Sequence, residues 1–198
     1  MSPAYAMRGT HTSPGLTCST AVKSIETSHL ILRPFTNDDV RYIFEHWTKD
    51  SDIVKQLGWT HPERIECVED WLKNSSNFKW CITVKDNNTP VGTIGIRSVL
   101  DSNTCELNFA VAKEYQNRGI TTEALSSIRW YLLAEVHFTT KTDFTKLTAY
   151  VDKANSAAIR VLSKNRFECV GHSTTTDTPD CIMYQTTPTY QEFLDIKF

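Results

Sequence analysis

The chain has 198 residues, a formal net charge of −2 and six cysteines, with a pI of about 6.3. That balance gives no reason to expect nucleic acid as a partner, and no apolar run approaches the roughly 18 residues of a membrane helix. Cys18, Cys67, Cys81, Cys105, Cys169 and Cys181 form no C-x-x-C pair, which speaks against zinc or another metal and for free thiols in a reducing, cytoplasmic compartment.

Residues 1–24 are rich in Ser, Thr, Pro and Gly, carry no acid and lack the apolar core of a secretory signal. They are expected to be a disordered extension, leaving 25–198 as a single domain. Leu30–Phe35 reads as a strand stopped at Pro34. Thr36-Asn37-Asp38-Asp39 follows as a helix cap with an acid three residues on, and Val40, Ile43, Phe44 and Trp47 supply one helical face. Pro62 is placed like the first residue of a second helix, with Ile65, Val68 and Leu72 as its buried stripe. The segment between these helices, 50–61, holds Gly58, Trp59 and His61.

Phe78, Trp80, Ile82 and Val84 alternate with polar or small residues as a half-buried strand does. With strands over 91–99 and 105–112 it predicts an antiparallel meander. Ala124, Leu125, Ile128 and Leu132 then give a helix from Gly119 to about His137. A Thr/Lys-rich loop, 139–145, leads to a strand at Lys146–Val151, expected to lie parallel in a right-handed crossover. Another helix begins near Asn155, with Ala154, Ala157, Ala158, Val161 and Leu162 as its apolar face. Phe167–His172 and Asp180–Gln185 close the fold as strands; 186–198 receives no element.

The stretch that carries chemistry is Tyr115-Gln116-Asn117-Arg118-Gly119-Ile120-Thr121-Thr122-Glu123, a polar turn between a strand and a helix. A helix start presents unpaired N–H groups and the positive end of the dipole, which suits an anion such as pyrophosphate. An ordinary strand-to-helix turn with a surface arginine would have the same spacing. The run Gln116-x-x-Gly119-x-Thr121 resembles the Q/R-x-x-G-x-G/A signature of the GNAT N-acetyltransferase superfamily, with Thr121 where Gly or Ala is usual. "LILRPFTNDDV" is similar to the opening of the ribosomal-protein N-terminal acetyltransferase branch, whose relatives include enzymes acting on small amines and antibiotics. Asn155 to Phe167 resembles the family's second signature, N-x-x-S/A-x-R-V-L-x-K-x-G-F, with Arg166 in place of the glycine.

In order and interval the resemblance spans Ser28 to Gln185. It implies an α+β fold: a mixed, mostly antiparallel sheet, splayed at the acetyl-CoA site and flanked by about four helices. It implies that backbone groups of Ala110 and Val111 pair with the pantetheine arm. The amides of Gln116, Asn117, Arg118, Gly119, Ile120 and Thr121 would take the pyrophosphate, and Asn155 would contact the pantetheine or serve only as a helix cap. Glu106 would be the general base acting through water, or else an exposed strand carboxylate. The usual proton donors are missing, because Ala158 and Leu162 hold their positions. The implied activity is acetyl transfer from acetyl-CoA to a primary amine, either a protein N-terminus or a small molecule, with a homodimer left open. His46 and His61 could bind or deprotonate the amine, or be surface or capping residues. The competing reading is a catalytically idle module that binds CoA as a regulator or scaffold.

Overall fold

The computed structural model describes residues 22–57, 59, 63–74, 78–135, 144–172 and 181–187. Cys18, Gly58, His61, Pro62, His137 and the 139–143 part of the expected loop lie outside them. The chain forms two compact units, Met1–Gly95 with Asn108–Ala124 and Ile96–Leu107 with Leu125–Phe198. The strands are β1 (Ile25–Glu26), β2 (Leu30–Arg33), β3 (Lys79–Val84), β4 (Pro90–Val99), β5 (Thr104–Val111), β6 (Lys146–Asp152), β7 (Glu168–His172) and β8 (Cys181–Thr186). Hydrogen-bonded neighbours run β1-β2-β3-β4-β5-β6-β8-β7. Five α-helices are present among the described residues: α1 (Asn37–His46), α2 (Ser51–Leu57), α3 (Ile65–Asn74), α4 (Ile120–Trp130) and α5 (Ser156–Lys164).

In the first unit, β2 alternates as expected, with Leu30 and Leu32 buried. Its last residue starts the first helix. Arg33 makes a two-pronged ion pair with Asp39, Nη1 to Oδ2 and Nη2 to Oδ1, both at 2.8 Å. The same Asp39 Oδ2 accepts the Thr36 N–H at 2.8 Å, the acid half of the expected cap. Burial works against the charged carboxyl, but the Arg33 and Thr36 hydrogen bonds outweigh it and hold Asp39 below the usual carboxylate range.

α1 then buries Val40 and Ile43. Trp47, in the 3₁₀ turn Trp47–Lys49, is fully buried and donates its indole N–H to Pro90 C=O at 3.1 Å. Phe35 meets Trp47 and Trp71 edge-on, and Trp59 meets Trp71 in the same way at 5.0 Å. The Lys79 ammonium lies 4.2 Å from the Trp71 ring centre, and burial lowers its pKa to about 8.

The structure differs from the expectations in this unit at two places. Residues 51–57 of the segment between the expected helices are themselves a helix, α2. Asp50 starts it, its Oδ1 accepting the Asp52 and Ile53 N–H groups. Residues at the end of the supposed extension are tied in: Val22 is buried and Lys23 C=O accepts the Trp80 indole N–H at 2.9 Å.

In the second unit, β5 and β6 are parallel, paired from Thr104↔Lys146 to Glu106↔Thr148. β6 pairs antiparallel with β8 from Leu147↔Thr186 to Asp152↔Cys181, and β8 pairs with β7. Leu125, Ile128 and Leu132 are fully buried, as their helical spacing requires. The expected single helix changes character after Trp130, where a π-helical turn covers Tyr131–Glu135. The apolar face expected of α5 is corrected. Leu162 is its buried member, Ala158, Ile159 and Val161 are half-buried, and Ala154 and Ala157 are exposed.

Removing one partner of a desolvated ion pair leaves the other charge buried and unpaired. Asp39→Ala is expected to lower unfolding free energy by about 3 kcal/mol, measured by denaturant titration. Because the Asp39 pKa is depressed, its contribution is present above the unfolded carboxyl pKa of about 3.9. It is lost as pH falls through the lower folded value, so the gap between wild type and variant should narrow in strong acid.

Candidate active site

The turn after β5 is built from one 3₁₀ turn, Lys113–Tyr115, and two left-handed residues, Asn117 at φ 59° and Gly119 at φ 80°. Glycine enters that region freely and asparagine more readily than most residues. A Cβ at Gly119 would meet nothing within 4 Å, so the backbone there opens onto free space. Asn117, Arg118 and Gly119 are exposed, while Gln116 and Thr121 are half-buried and Ile120 is buried. The guanidinium of Arg118 lies 5.3 Å from the Tyr115 ring centre. Tyr42 hydrogen-bonds Tyr115; burial, then the nearby Tyr115 and Glu114, push the Tyr42 phenol up to about 12.

Backbone direction along β5 decides which residues can accept an added strand. Ala112 N–H donates to Val91 C=O on β4 at 2.9 Å. The Ala110 carbonyl lies 2.5 Å from where a Cβ would stand on Gly92. Residues two apart in a strand aim their backbone groups at the same edge, and their neighbours aim at the other. Ala110 is therefore turned towards β4, which corrects its expected pairing role. Val111 and Phe109 are turned to the opposite edge. The Val111 carbonyl accepts the Gln116 side-chain N–H at 3.1 Å, so Gln116 braces the turn onto the strand.

Glu106 and Asn155 belong to the second unit. Glu106 is not an exposed strand carboxylate, since its side chain is only 12% accessible. Ser98 donates its hydroxyl to Oε2 at 2.8 Å, and Arg97 Nε lies 3.6 Å from Oε1. Its charge reaches neighbouring groups. The Cys105 thiol and the Tyr150 phenol are both pushed up, by burial first and by Glu106 second. Asn155 caps α5, with Oδ1 accepting the Ala158 N–H at 3.0 Å. His46 stacks on Tyr42 at 4.2 Å and lines a cavity of about 450 Å³ with Lys49, Asp50, Lys113 and Glu114. Trp59 Nε1 is buried without a hydrogen-bond partner among the described residues.

The model of the family described as Acetyltransferase (GNAT) domain matches residues 29–168. The chain belongs to the GNAT acetyltransferase family. The uncharacterized N-acetyltransferase YoaA of Bacillus subtilis is 24% identical over 155 residues, covering 74% of this chain and 84% of that protein. Among solved structures, the fold is similar to a putative ribosomal-protein-serine acetyltransferase from Vibrio cholerae, with a TM-score of 0.68 and 16% identity over 85% of this chain and 99% of that one. It is also similar to aminoglycoside acetyltransferase AAC(6′)-Ib in complex with coenzyme A, with a TM-score of 0.62 and 22% identity over 85% and 99% of the two chains. This GNAT chain is thus an acetyltransferase with the α+β fold that its signatures implied.

Two features of this GNAT site escaped sequence reasoning. The left-handed Asn117 was open to recognition, because asparagine next but one to a glycine is turn chemistry. The outward edge at Phe109 was not, because strand patterning reports side-chain faces and is silent on which edge is occupied. Gly92 sets that edge, since any side chain there meets the Ala110 carbonyl and Val111. Gly92→Ala is expected to cost about 1–3 kcal/mol, seen as a lowered thermal midpoint, because β4 and β5 must separate to admit the methyl group.

Proposed function

We propose that this acetyltransferase moves the acetyl group of acetyl-CoA directly onto a primary amine, a protein N-terminus or a small molecule. The observation that carries the cofactor half is the Gln116–Thr121 turn, with Gly119 left-handed and open and a helix beginning at Ile120. In this reading the amides of 117–121 receive the pyrophosphate and Arg118 adds charge, while the Gln116 N–H, expected to join them, already donates to Lys113 C=O at 3.2 Å. The outward backbone of Val111, with Phe109, receives the pantetheine amides as an added strand would. Asn155 keeps its capping bond and has a second lone pair for the same arm.

For the transfer itself the amine must be neutral. A lysine-like amine is only about 1 in 2,500 neutral at pH 7, against roughly one in seven for an α-amine. The nitrogen then attacks the thioester carbonyl carbon, the C–S bond breaks, and the amine proton leaves through water to Glu106. Ser98 and Arg97 hold the Glu106 carboxylate in one orientation, with lone pairs left for that water. The thiolate leaves without a named acid. Leu162 is fully buried hydrocarbon at one usual donor position and Ala158 stands at the other. The same two residues favour the second reading, an idle CoA-binding module, which release of free thiol from acetyl-CoA with an amine panel would eliminate.

Two substitutions test the proposal. Gly119→Asp places a carboxylate at the pyrophosphate position, and aspartate is among the residues that tolerate left-handed backbone best. Calorimetry should show CoA binding lost while circular dichroism shows the fold kept; unchanged affinity would refute the cofactor site. Glu106→Gln keeps size and hydrogen bonding but cannot take a proton. Turnover near neutral pH should fall about 10²-fold with CoA affinity unchanged, and much of it should return at high pH, where the amine is neutral unaided. Full activity from pH 6.5 to 9 would return Glu106 to a structural role.

A further inference from the structure

The residue that closes the first turn of α4 also ties that turn to a distant part of the chain. Glu123 donates its N–H to Gly119 C=O at 3.0 Å. Its carboxylate accepts three donors from the turn between β1 and β2. The Thr27 hydroxyl reaches Oε1 at 2.6 Å, the His29 N–H reaches the same oxygen at 2.8 Å, and His29 Nδ1 lies 3.0 Å from Oε2. Thr27 is itself pinned. The Leu30 N–H donates to its Oγ1 at 2.9 Å, and its own N–H donates to Leu30 C=O at 3.0 Å. β2 continues from there into the sheet beside β3. The anchor is therefore a strand, not a loose loop.

A carboxylate in the first turn of a helix is favourable to the helix dipole. It is also like-charged with a phosphate group received at that same helix end. The two demands are compatible only if the carboxylate is held and its oxygens are occupied by donors. Burial works against its charged form, yet the Thr27 and His29 hydrogen bonds outweigh it and keep the carboxyl below the usual range.

We infer that Glu123 is a positioning residue for the pyrophosphate turn. Through Thr27 and His29 it locks Gly119 and Ile120 in the anion-receiving shape and turns its own charge away from the anion. This rests on the reading of residues 117–121 as the cofactor's pyrophosphate site. Loss of Thr27 removes one of the two donors on Oε1, leaving the His29 N–H, and so uncovers part of the carboxylate charge beside that site. Loss of Glu123 frees the helix start from β2. An amide at 123 can still accept from Thr27 and His29, and carries no charge.

The test is coenzyme A affinity by calorimetry on the full chain, at a temperature where circular dichroism shows every variant folded, together with steady-state kinetics. Glu123→Ala should weaken binding about 10-fold, the scale of a lost hydrogen bond to a charged group. Glu123→Gln should recover most of that loss. Thr27→Val should weaken binding about 5-fold in the wild-type background and less in the Glu123→Gln background, where no charge is released. The losses should fall on the KM for acetyl-CoA and not on kcat. Wild-type affinity in folded Glu123→Ala overturns the inference, as do equal effects of Thr27→Val in both backgrounds. If Gly119→Asp also leaves binding intact, the reading of the turn fails. If Gly119→Asp abolishes binding and Glu123→Ala does not, only the role of Glu123 fails.

Discussion

The close approach of β4 and β5 at Gly92 is the constraint on which the first unit's site depends. With no side chain on Gly92, the Ala110 carbonyl can lie against it and Ala112 can donate to Val91. Those contacts assign the Ala110 and Ala112 backbone to β4, and by alternation they release the Val111 edge. Val111 then becomes the point on which Gln116 braces the following turn. One missing methyl group thus orients the strand edge and, through Gln116, the polar turn. The same glycine in a less crowded strand would be only a weak point.

Electrostatics separates the two halves of the proposed reaction. The turn presents exposed groups of fixed polarity: backbone N–H donors, a helix start and the Arg118 guanidinium over Tyr115. Such groups need no adjustment when an anion arrives, which is the property that makes a preorganised site effective. Glu106 is different. It is largely shielded, and Ser98 and Arg97 hold its carboxylate in one orientation. Of the two acceptor types in the proposed class, an α-amine is far more often neutral at pH 7 than a lysine-like amine.

Patterns that repeat along the chain were legible in the sequence. The β3 strand, the helical stripe of α4 and the caps at Thr36 and Asn155 all appear where spacing placed them, although β3 is buried on both faces from Trp80 to Thr83 and not half-buried as its alternation implied. Each reports a local preference that the fold has no reason to override. α2 was not legible, because Ser51–Leu57 is only seven residues long and buries just Ile53 and Val54, too few positions to establish a period. The α5 face was misjudged because alanine carries almost no burial drive. Ala154 and Ala157 are exposed, while the larger Leu162 decides which side turns in. Backbone edges and clamps such as Glu123 with Thr27, 96 positions apart in sequence, depend on tertiary placement and leave no local trace.

The leaving group remains, and the structure limits how it can be served. Leu162 is fully buried and Ala158 has no polar atom beyond its backbone, whose N–H is already taken by Asn155. α5 therefore offers no side-chain acid at either usual position. Coenzyme A is a thiol, and an ordinary thiol has a pKa near 8.5, so its thiolate is a competent leaving group near neutral pH and needs protonation only afterwards. An alkoxide leaving group, far more basic, would demand an acid in the transition state. Thioester chemistry removes that demand, which is why a site with two donors absent remains consistent with direct transfer.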